Sequence, residues 1–327
     1  MRARRRRWLR LVPLALLCLL LAPGTWWRTP DLPPGVPATL SITPLKLAQP
    51  DDWPAALRLV GGWVLRSDHA RFGGYSALVP LPGGRLQAWS DRGDYLLFRR
   101  PDHGRGRALL GTLQRDADAR YWSDDLEAAT RDPVTNRQWL TIESTNAIRR
   151  LDSHGRPAGG SRPRAMRDWP TNKGGEAMVR LPDGRFIVLG EGVNDGSPPI
   201  SPGVLFAGDP VDGASAIRFG FPRQGRLHPT DMALLPDGRA LILQRQIEPG
   251  LPPFGAMLAI ADPAAIRANK PWPWQTLAQL APPLPRENYE GLAVTPAPDG
   301  GVHLWIISDD NQSGVQRTLL WQLHLVI

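Results

Sequence analysis

Acidic side chains recur at matching places along the chain, and residues of this type suggest metal-dependent or acid–base chemistry. Each lies at the far end of an apolar run that flanks a Pro- and Gly-containing turn. Carboxylates that are brought together repel one another unless a cation lies between them, and Ca²⁺ prefers such oxygen-rich sites. The recurring acids are Asp91, Glu127, Glu143, Glu176, Glu191, Asp231, Glu290 and Asp309.

These acids and the basic residues near them suggest a division of roles. We expect Glu176, Glu290 and Arg245 to act in catalysis, with the carboxylates as ligands or general base. Basic groups would bind an anionic substrate group such as phosphate, and the candidates are Arg92, Lys173, Arg317 and His228. The expected Ca²⁺ ligands are Asp91, Glu127, Glu143, Glu191, Asp231, Asp309 and Asn311, with Asn172 and Asn288 as further carbonyl donors.

A repeated turn must position these residues. Its sequence is Leu-Pro-Asp-Gly-Arg or a variant, and it occurs at residues 81–85, 181–185, 235–239 and 297–301, with a degenerate copy at 132–137. Pro presets φ, and Gly or Asn accepts a positive φ, so each copy predicts a β-hairpin. Successive turn glycines or asparagines lie 48 to 62 residues apart, which is close to the period of one propeller blade. We predict an all-β propeller of five, alternatively six, four-stranded blades, closed by an N-terminal strand near 57–65.

The hairpins predict which acids face each other. If the two strands pair symmetrically about each turn, Glu176 lies opposite Glu191 and Glu290 lies opposite Asp309. Glu127 pairs with Glu143 in the same way, and Asp231 with Arg245 misses this register by one residue. In a closed propeller these strand ends converge around the central channel. The alternative is that each acid is only solvated or caps a loop.

The first residues form a leader with its own chemistry. Six arginines lie within the first ten residues, and residues 9–22 are almost entirely apolar, as in a secretory signal or an uncleaved N-terminal anchor. Beyond residue 22 the chain has 33 basic and 31 acidic side chains, so we expect no nucleic-acid partner. We expect an exported protein, periplasmic, secreted or anchored to the inner membrane, with membrane contact only through this segment. The expected divisions are 1–24 (leader), 25–50 (linker) and 51–327 (propeller).

Several motifs together resemble the phytase-like esterase family of exported bacterial proteins. They are Gly-Gly-Tyr-Ser at 73–76, Ser-Asp-Arg-Gly at 90–93, Asp-Leu-Glu at 125–127 with Glu143, Asn-Lys-Gly-Gly-Glu-Ala at 172–177, Pro-Thr-Asp at 229–231, Asn-Tyr-Glu-Gly-Leu at 288–292, Ser-Asp-Asp-Asn at 308–311 and Gln-Arg-Thr-Leu-Leu at 316–320. The resemblance runs from about residue 57 to the C-terminus. Gln244 stands where the family usually has Glu, so one acidic ligand is expected to be missing. The resemblance implies a β-propeller with phosphoester or ester hydrolysis.

Three functions remain open at this point. The first is a metal-dependent hydrolase that acts on a small anionic phosphate ester. The second is a lactonase-type propeller, and the third is a non-catalytic, Ca²⁺-stabilised binding module of the cell envelope. The only cysteine is Cys18 in the leader, and no Gly-x-Ser-x-Gly motif is present, so thiolate chemistry in the domain and serine hydrolysis through that motif are not supported. The substrate, the metal and the oligomeric state are left open.

Overall fold

The computed structural model describes residues 31–104, 106–114, 125–192 and 199–327. The chain divides into a unit of Met1–Leu32 and a compact unit of Pro33–Ile327, and the fold described below is that of the second unit. The expected leader at 1–24 lies outside the described residues. Across the described ranges, no helix is long and apolar enough to cross a membrane.

Twenty-two strands in the described ranges form five antiparallel sheets, which are the five blades. Blades 1 and 2 contain β4 (Tyr75–Leu81), β5 (Arg85–Ser90), β6 (Asp94–Arg99) and β7 (Ala108–Thr112), then β8 (Leu126–Arg131), β9 (Gln138–Ile142), β10 (Ala147–Leu151) and β11 (Pro157–Ser161). Blades 3 and 4 contain β12 (Gly175–Arg180), β13 (Phe186–Gly190), β14 (Ile200–Phe206) and β15 (Ala216–Pro222), then β16 (His228–Leu234), β17 (Ala240–Ile247), β18 (Phe254–Ala261) and β19 (Trp274–Leu280). Blade 5 contains β20 (Asn288–Pro296), β21 (Val302–Asp309), β22 (Leu319–Leu325) and β3 (Leu57–Arg66).

The ring is closed by a strand from the other end of the chain. β3 pairs with β22 and completes blade 5, and the innermost strands β4, β8, β12, β16 and β20 contact one another in a circle, β20 with β4 included. The prediction of five blades with an N-terminal closing strand is therefore confirmed. Two further strands, β1 (Val36–Ala38) and β2 (Ser41–Pro44), extend the outer edges of blades 1 and 5. The compact unit thus begins before the expected boundary at residue 51.

The repeated turns are one residue longer than the symmetric pairing assumes. In blade 3, the Leu181 N–H donates to the Arg185 carbonyl at 2.8 Å, so three residues form the loop. Gly184 adopts φ 89° there, a left-handed conformation that favours glycine. The predicted pairs Glu176–Glu191 and Glu290–Asp309 are therefore wrong, and Asn288 is the residue opposite Asp309.

Each innermost strand also carries a β-bulge near the end remote from its turn. The register shifts once in β4, β8, β12, β16 and β20. A bulge leaves one residue unpaired and re-aims its side chain. The residues at the five bulges are Ser76, Glu127, Glu176, Thr230 and Glu290.

Apolar side chains between neighbouring blades form the core that holds these strands. Trp89, Trp272, Trp305 and Trp321 are among the largest fully buried side chains, so these tryptophans serve packing. Between blades 4 and 5, Leu243, Leu292 and Trp321 belong to one continuous cluster. Because dense packing resists deformation, the inner strands hold their bulges in place around the channel.

Candidate metal centre

Each blade places two equivalent residues at one end of the channel. The first is the bulge residue of the innermost strand. The second belongs to the opposite side of the hairpin, and it directly follows the residue that pairs with the last inner-strand residue before the bulge. Blades 2, 3 and 5 supply acids at both places, blade 1 supplies a hydroxyl and an acid, and blade 4 supplies a hydroxyl and a guanidinium. The second positions are Asp91, Glu143, Glu191, Arg245 and Asp309.

Blade 2 contributes the group with the clearest metal-binding geometry. Asp125, Glu127 and Glu143 each offer a carboxylate oxygen, and these oxygens lie within 4.8 Å of one another. Burial raises the pKa of Glu127 well above its ordinary value, and the neighbouring carboxylates, Glu290 foremost, raise it further. Asp125 is absent from the predicted ligand set, although the Asp-Leu-Glu motif that contains it was a visible signal.

A second pair of acids shares a hydrogen bond. Burial raises the pKa of Glu143, and the hydrogen bond to Glu176 lowers it while raising the pKa of Glu176. Burial raises the pKa of Glu176 well above its ordinary value, and the charges of Glu127 and Glu143 add to this effect. The Gly174 N–H donates to Glu143 Oε1 at 3.2 Å and favours the charged form on that side. Glu176 is therefore the partner whose neutral form is favoured more strongly.

Blade 5 supplies two acids linked by one amide. Asn288 Nδ2 donates to Glu290 Oε1 at 2.8 Å and to Asp309 Oδ2 at 3.3 Å. Burial and the charge of Glu290 raise the pKa of Asp309 to about 8, and Ser76 donates to Glu290. Asn288 is 3% exposed, and its Oδ1 has no hydrogen-bond partner within the described part of the chain. A buried carbonyl oxygen without a donor is the type of group that a cation satisfies.

In blade 1, Asp91 lies beside Gly74, a position where a larger side chain would be strained. The Arg92 N–H donates to Asp91 Oδ1 at 2.8 Å. Gly74 adopts φ +71°, and a Cβ there would lie 2.9 Å from the same oxygen. Burial raises the pKa of Asp91, while the charge of Arg92 lowers it. Arg92 Nε itself lies 3.9 Å from Asp91 and 3.8 Å from Asp94, so the predicted substrate-binding Arg92 lies at the edge of the cluster.

Blades 3 and 4 give the cluster a basic side. Arg245 Nη2 lies 3.2 Å from Glu290 Oε1, and Lys173 Nζ lies 3.4 Å from Glu191 Oε2. Arg223, which the sequence analysis does not single out, places Nη1 2.9 Å from the Nε2 atom of His228. The Nδ1 atom of His228 lies 2.6 Å from the Glu191 carbonyl oxygen.

The protonation state of His228 follows from these contacts. Burial lowers its pKa, and the charges of Arg223 and Lys173 lower it further against the opposing effect of Glu191. His228 is then a neutral imidazole at pH 7, with Nδ1–H donating to the Glu191 carbonyl and Nε2 accepting from Arg223. No single motif marks Arg223, because it follows the outer strand β15 and reaches this place only through the fold.

Asp231 does not join the acidic cluster. Its Oδ1 accepts from the Met232 N–H at 2.8 Å, and its Oδ2 accepts from the Leu292 N–H at 2.7 Å. The Leu78 N–H is a third donor. Thr230 occupies the bulge in its place, and a shift of one residue turns a side chain to the other side of a strand. We therefore correct the predicted ligand role of Asp231: it joins three inner strands.

Two further predicted site residues have other partners. Arg317 Nε donates to Glu287 Oε1 at 2.9 Å, and Glu287 is fully buried. Asn311 Nδ2 donates to Gln316 Oε1 at 3.3 Å on the surface, and only the Asn311 backbone N–H contacts Asp309. The predicted substrate role of Arg317 and the predicted ligand role of the Asn311 side chain are not supported by these contacts.

Comparison with protein families gives a match that covers most of the chain. A family model described as phytase-like, with esterase-like activity of phytase, matches residues 70–312. No curated protein matches this sequence.

Similar solved structures share little sequence with the chain. The PQQ-bound aldose sugar dehydrogenase of Streptomyces coelicolor is 16% identical with a TM-score of 0.43, over 84% of this chain and 100% of that chain. The endo-arabinase of Bacteroides thetaiotaomicron VPI-5482 is 9% identical with a TM-score of 0.48, over 79% and 95% of the two chains. The Cps50 (Swd1) β-propeller domain of Myceliophteria thermophila is 11% identical with a TM-score of 0.35, over 76% and 71%.

Proposed function

The chain belongs to the phytase-like family, and we propose that it is an exported, metal-dependent hydrolase that acts on phosphate esters. One observation carries this proposal: acids from four blades converge at one end of the channel, against a basic side formed by blades 3 and 4. A cation on the acids and a phosphate between the cation and the bases would neutralise both sides.

The donor set fits a hard cation. All candidate ligands are oxygen atoms, the set contains no cysteine or histidine, and the buried Asn288 Oδ1 has no partner among the described residues. Asp125, Glu127 and Glu143 would hold Ca²⁺, which this composition favours over softer metals. When bound, such an ion polarises a phosphoryl oxygen and lowers the pKa of coordinated water.

The chain's own residues would bind the substrate and move protons. Lys173 and Arg245 lie on the basic side and would hold the phosphate oxygens. Burial raises the pKa of Glu290, but Arg245 and the Asn288 amide oppose this effect, so Glu290 is the better candidate for a general base. Glu176 would hold a proton near neutral pH, because burial raises its pKa, and is the candidate general acid.

The proposal is tested by assaying the purified protein with phosphomonoesters, phosphodiesters and phytate, each with Ca²⁺ and with a chelator. We expect Ca²⁺-dependent turnover that Glu176→Gln and Glu290→Gln each reduce at least about 100-fold. Glu248→Gln is the matched control, since Glu248 pairs with Arg286 rather than with a residue of the cluster. Turnover of lactones alone would identify a lactonase, and stabilisation by Ca²⁺ without any turnover would identify a binding module; either result contradicts the proposal.

A further inference from the structure

The channel changes chemical character between its two ends. At the turn end it opens into a cavity of about 660 Å³, walled by the innermost strands and by the turns that follow them. Its lining is mostly apolar, with Thr130, Arg131, Asp132, Thr135 and Arg180 as its polar members, and the bulge residues do not contribute to it. The residue four positions after each bulge lies partly exposed at this end, and these five residues are Pro80, Arg131, Arg180, Leu234 and Val294.

Asp231 bonds to three residues that line this cavity. Its carboxylate accepts N–H groups of Leu78, Met232 and Leu292, and the same three residues line the cavity. Three inner strands from blades 1, 4 and 5 are thereby joined at that level of the channel. The cavity and the acidic cluster are thus lined by different residues of the same inner strands.

Two arginines make one side of the opening basic. Arg131 is half-buried, and it donates to the Pro80 carbonyl at 3.2 Å and to the Asn136 side-chain oxygen. Both partners are neutral, and no carboxylate lies within 4 Å of its guanidinium in the described ranges. Arg180 Nη2 lies 3.6 Å from Asp132 Oδ2, which is the one acid that lines the cavity. Pro80, Leu234 and Val294 make the other side of the opening apolar.

We propose that this cavity is a second binding site, and that it takes a small anionic amphiphile with one acidic head and an apolar body. The volume lies in the range of small-molecule sites, roughly 300 to 1,000 Å³. The apolar walls would bury the body of the ligand, which is favourable in proportion to the area removed from water. Arg131 and Arg180 would hold the head, because guanidinium groups bind carboxylates and phosphates through paired hydrogen bonds.

Isothermal titration of the purified protein, in chelator, with decanoate and with decyltrimethylammonium tests this site. We expect saturable binding of decanoate and none of the cationic amphiphile. Replacing both Arg131 and Arg180 with Gln should weaken decanoate binding by at least about tenfold, and Val294→Trp should abolish it by filling the opening. Arg185→Gln is the control, because this exposed arginine pairs with Asp183 on the same face and does not line the cavity.

The proposal of a second site can be refuted independently of the proposed hydrolase activity. Decanoate binding that Val294→Trp leaves unchanged, equal binding of both amphiphiles, or no saturable binding would each overturn the second site without bearing on hydrolysis. Circular dichroism of each variant shows whether it is folded. If Val294→Trp does not fold, Leu234→Trp serves as the second filling variant, and the same outcomes decide.

Discussion

Replacing Asp309 with Asn tests whether the acidic cluster destabilises the metal-free fold. Burial and the charge of Glu290 raise the pKa of the Asp309 carboxyl from 3.8 to about 8. The Asn311 N–H donates to Oδ1 at 2.7 Å, and an asparagine oxygen can accept that bond. The substitution therefore removes the charge while keeping the shape and one acceptor. The same substitution should weaken Ca²⁺ binding, since a neutral amide attracts a cation less strongly than a carboxylate does.

The expected magnitude follows from the two pKa values. A carboxyl whose pKa is higher in the folded than in the unfolded protein stabilises the fold fully below pH 3.8, and this stabilisation is lost as pH rises through about 8. At about 1.4 kcal/mol per pH unit, that interval corresponds to about 6 kcal/mol. Because Asp309 titrates together with Glu290, we expect Asp309→Asn to raise the free energy of unfolding by about 2 to 4 kcal/mol at pH 8 in chelator.

Urea unfolding at pH 5 and pH 8, each with EDTA and with Ca²⁺, measures this effect. In EDTA the native protein should be less stable at pH 8 than at pH 5. In Asp309→Asn the difference in the free energy of unfolding between these two pH values should be smaller. Ca²⁺ should stabilise the native protein more than the variant. Asp183→Asn, at an exposed turn, should change stability by less than about 0.5 kcal/mol. A variant that is less stable than the native protein at pH 8 in EDTA, with an unchanged pH dependence, would refute the reasoning.

Three other variants separate structural from site roles. Asp231→Ala leaves N–H groups of three strands without their acceptor, so urea unfolding should show a loss of about 3 to 5 kcal/mol, with Ca²⁺ affinity unchanged by calorimetry. Arg317→Met leaves the buried Glu287 without its cation, so thermal unfolding should show a free energy of unfolding lower by about 2 to 4 kcal/mol, while kcat/KM is unchanged. If Asp231→Ala or Arg317→Met is as stable as the native protein, the structural role assigned to that residue is contradicted. Lys173→Met removes the cation beside Glu191, so KM for a phosphate ester should rise about tenfold with little change in kcat; an unchanged KM contradicts the phosphate-binding role.

The blade count is readable from the sequence because the turn chemistry is local. Pro and Gly impose their backbone conformations wherever the chain goes, so five copies predict five hairpins, and apolar runs on both sides predict their strands. The closing strand follows from the same logic, because an open ring would leave unpaired edges. β3 at Leu57–Arg66 lies where the prediction of a strand near 57–65 places it.

The strand register could not be predicted in the same way. Symmetric pairing assumes a two-residue loop and no bulge, whereas Leu181 pairs with Arg185 across a three-residue loop and each inner strand is bulged. A bulge arises from the packing of a strand against its neighbours, and no residue type marks it. Asp231 shows the consequence, because Thr230 takes the bulge and Asp231 turns to the backbone of the inner strands.

The partners of the basic residues also depend on tertiary structure. The position of Arg317 in the sequence suggests that it belongs to the site. In the structure its guanidinium instead contacts Glu287, which lies in the loop before β20. Arg223 has no motif, but it contacts His228 because the end of β15 returns to the start of β16. Convergence of the acids follows from blade symmetry, whereas individual ion pairs depend on loops that differ from blade to blade.

The claim that the blades assemble a cation site is tested most directly by equilibrium dialysis against radiolabelled Ca²⁺. We predict a saturable site in the native protein that is lost when Glu127 and Glu143 are both replaced with Gln and is kept in Glu248→Gln. Absence of binding to the native protein at millimolar Ca²⁺, or undiminished binding to the double variant, would contradict the account.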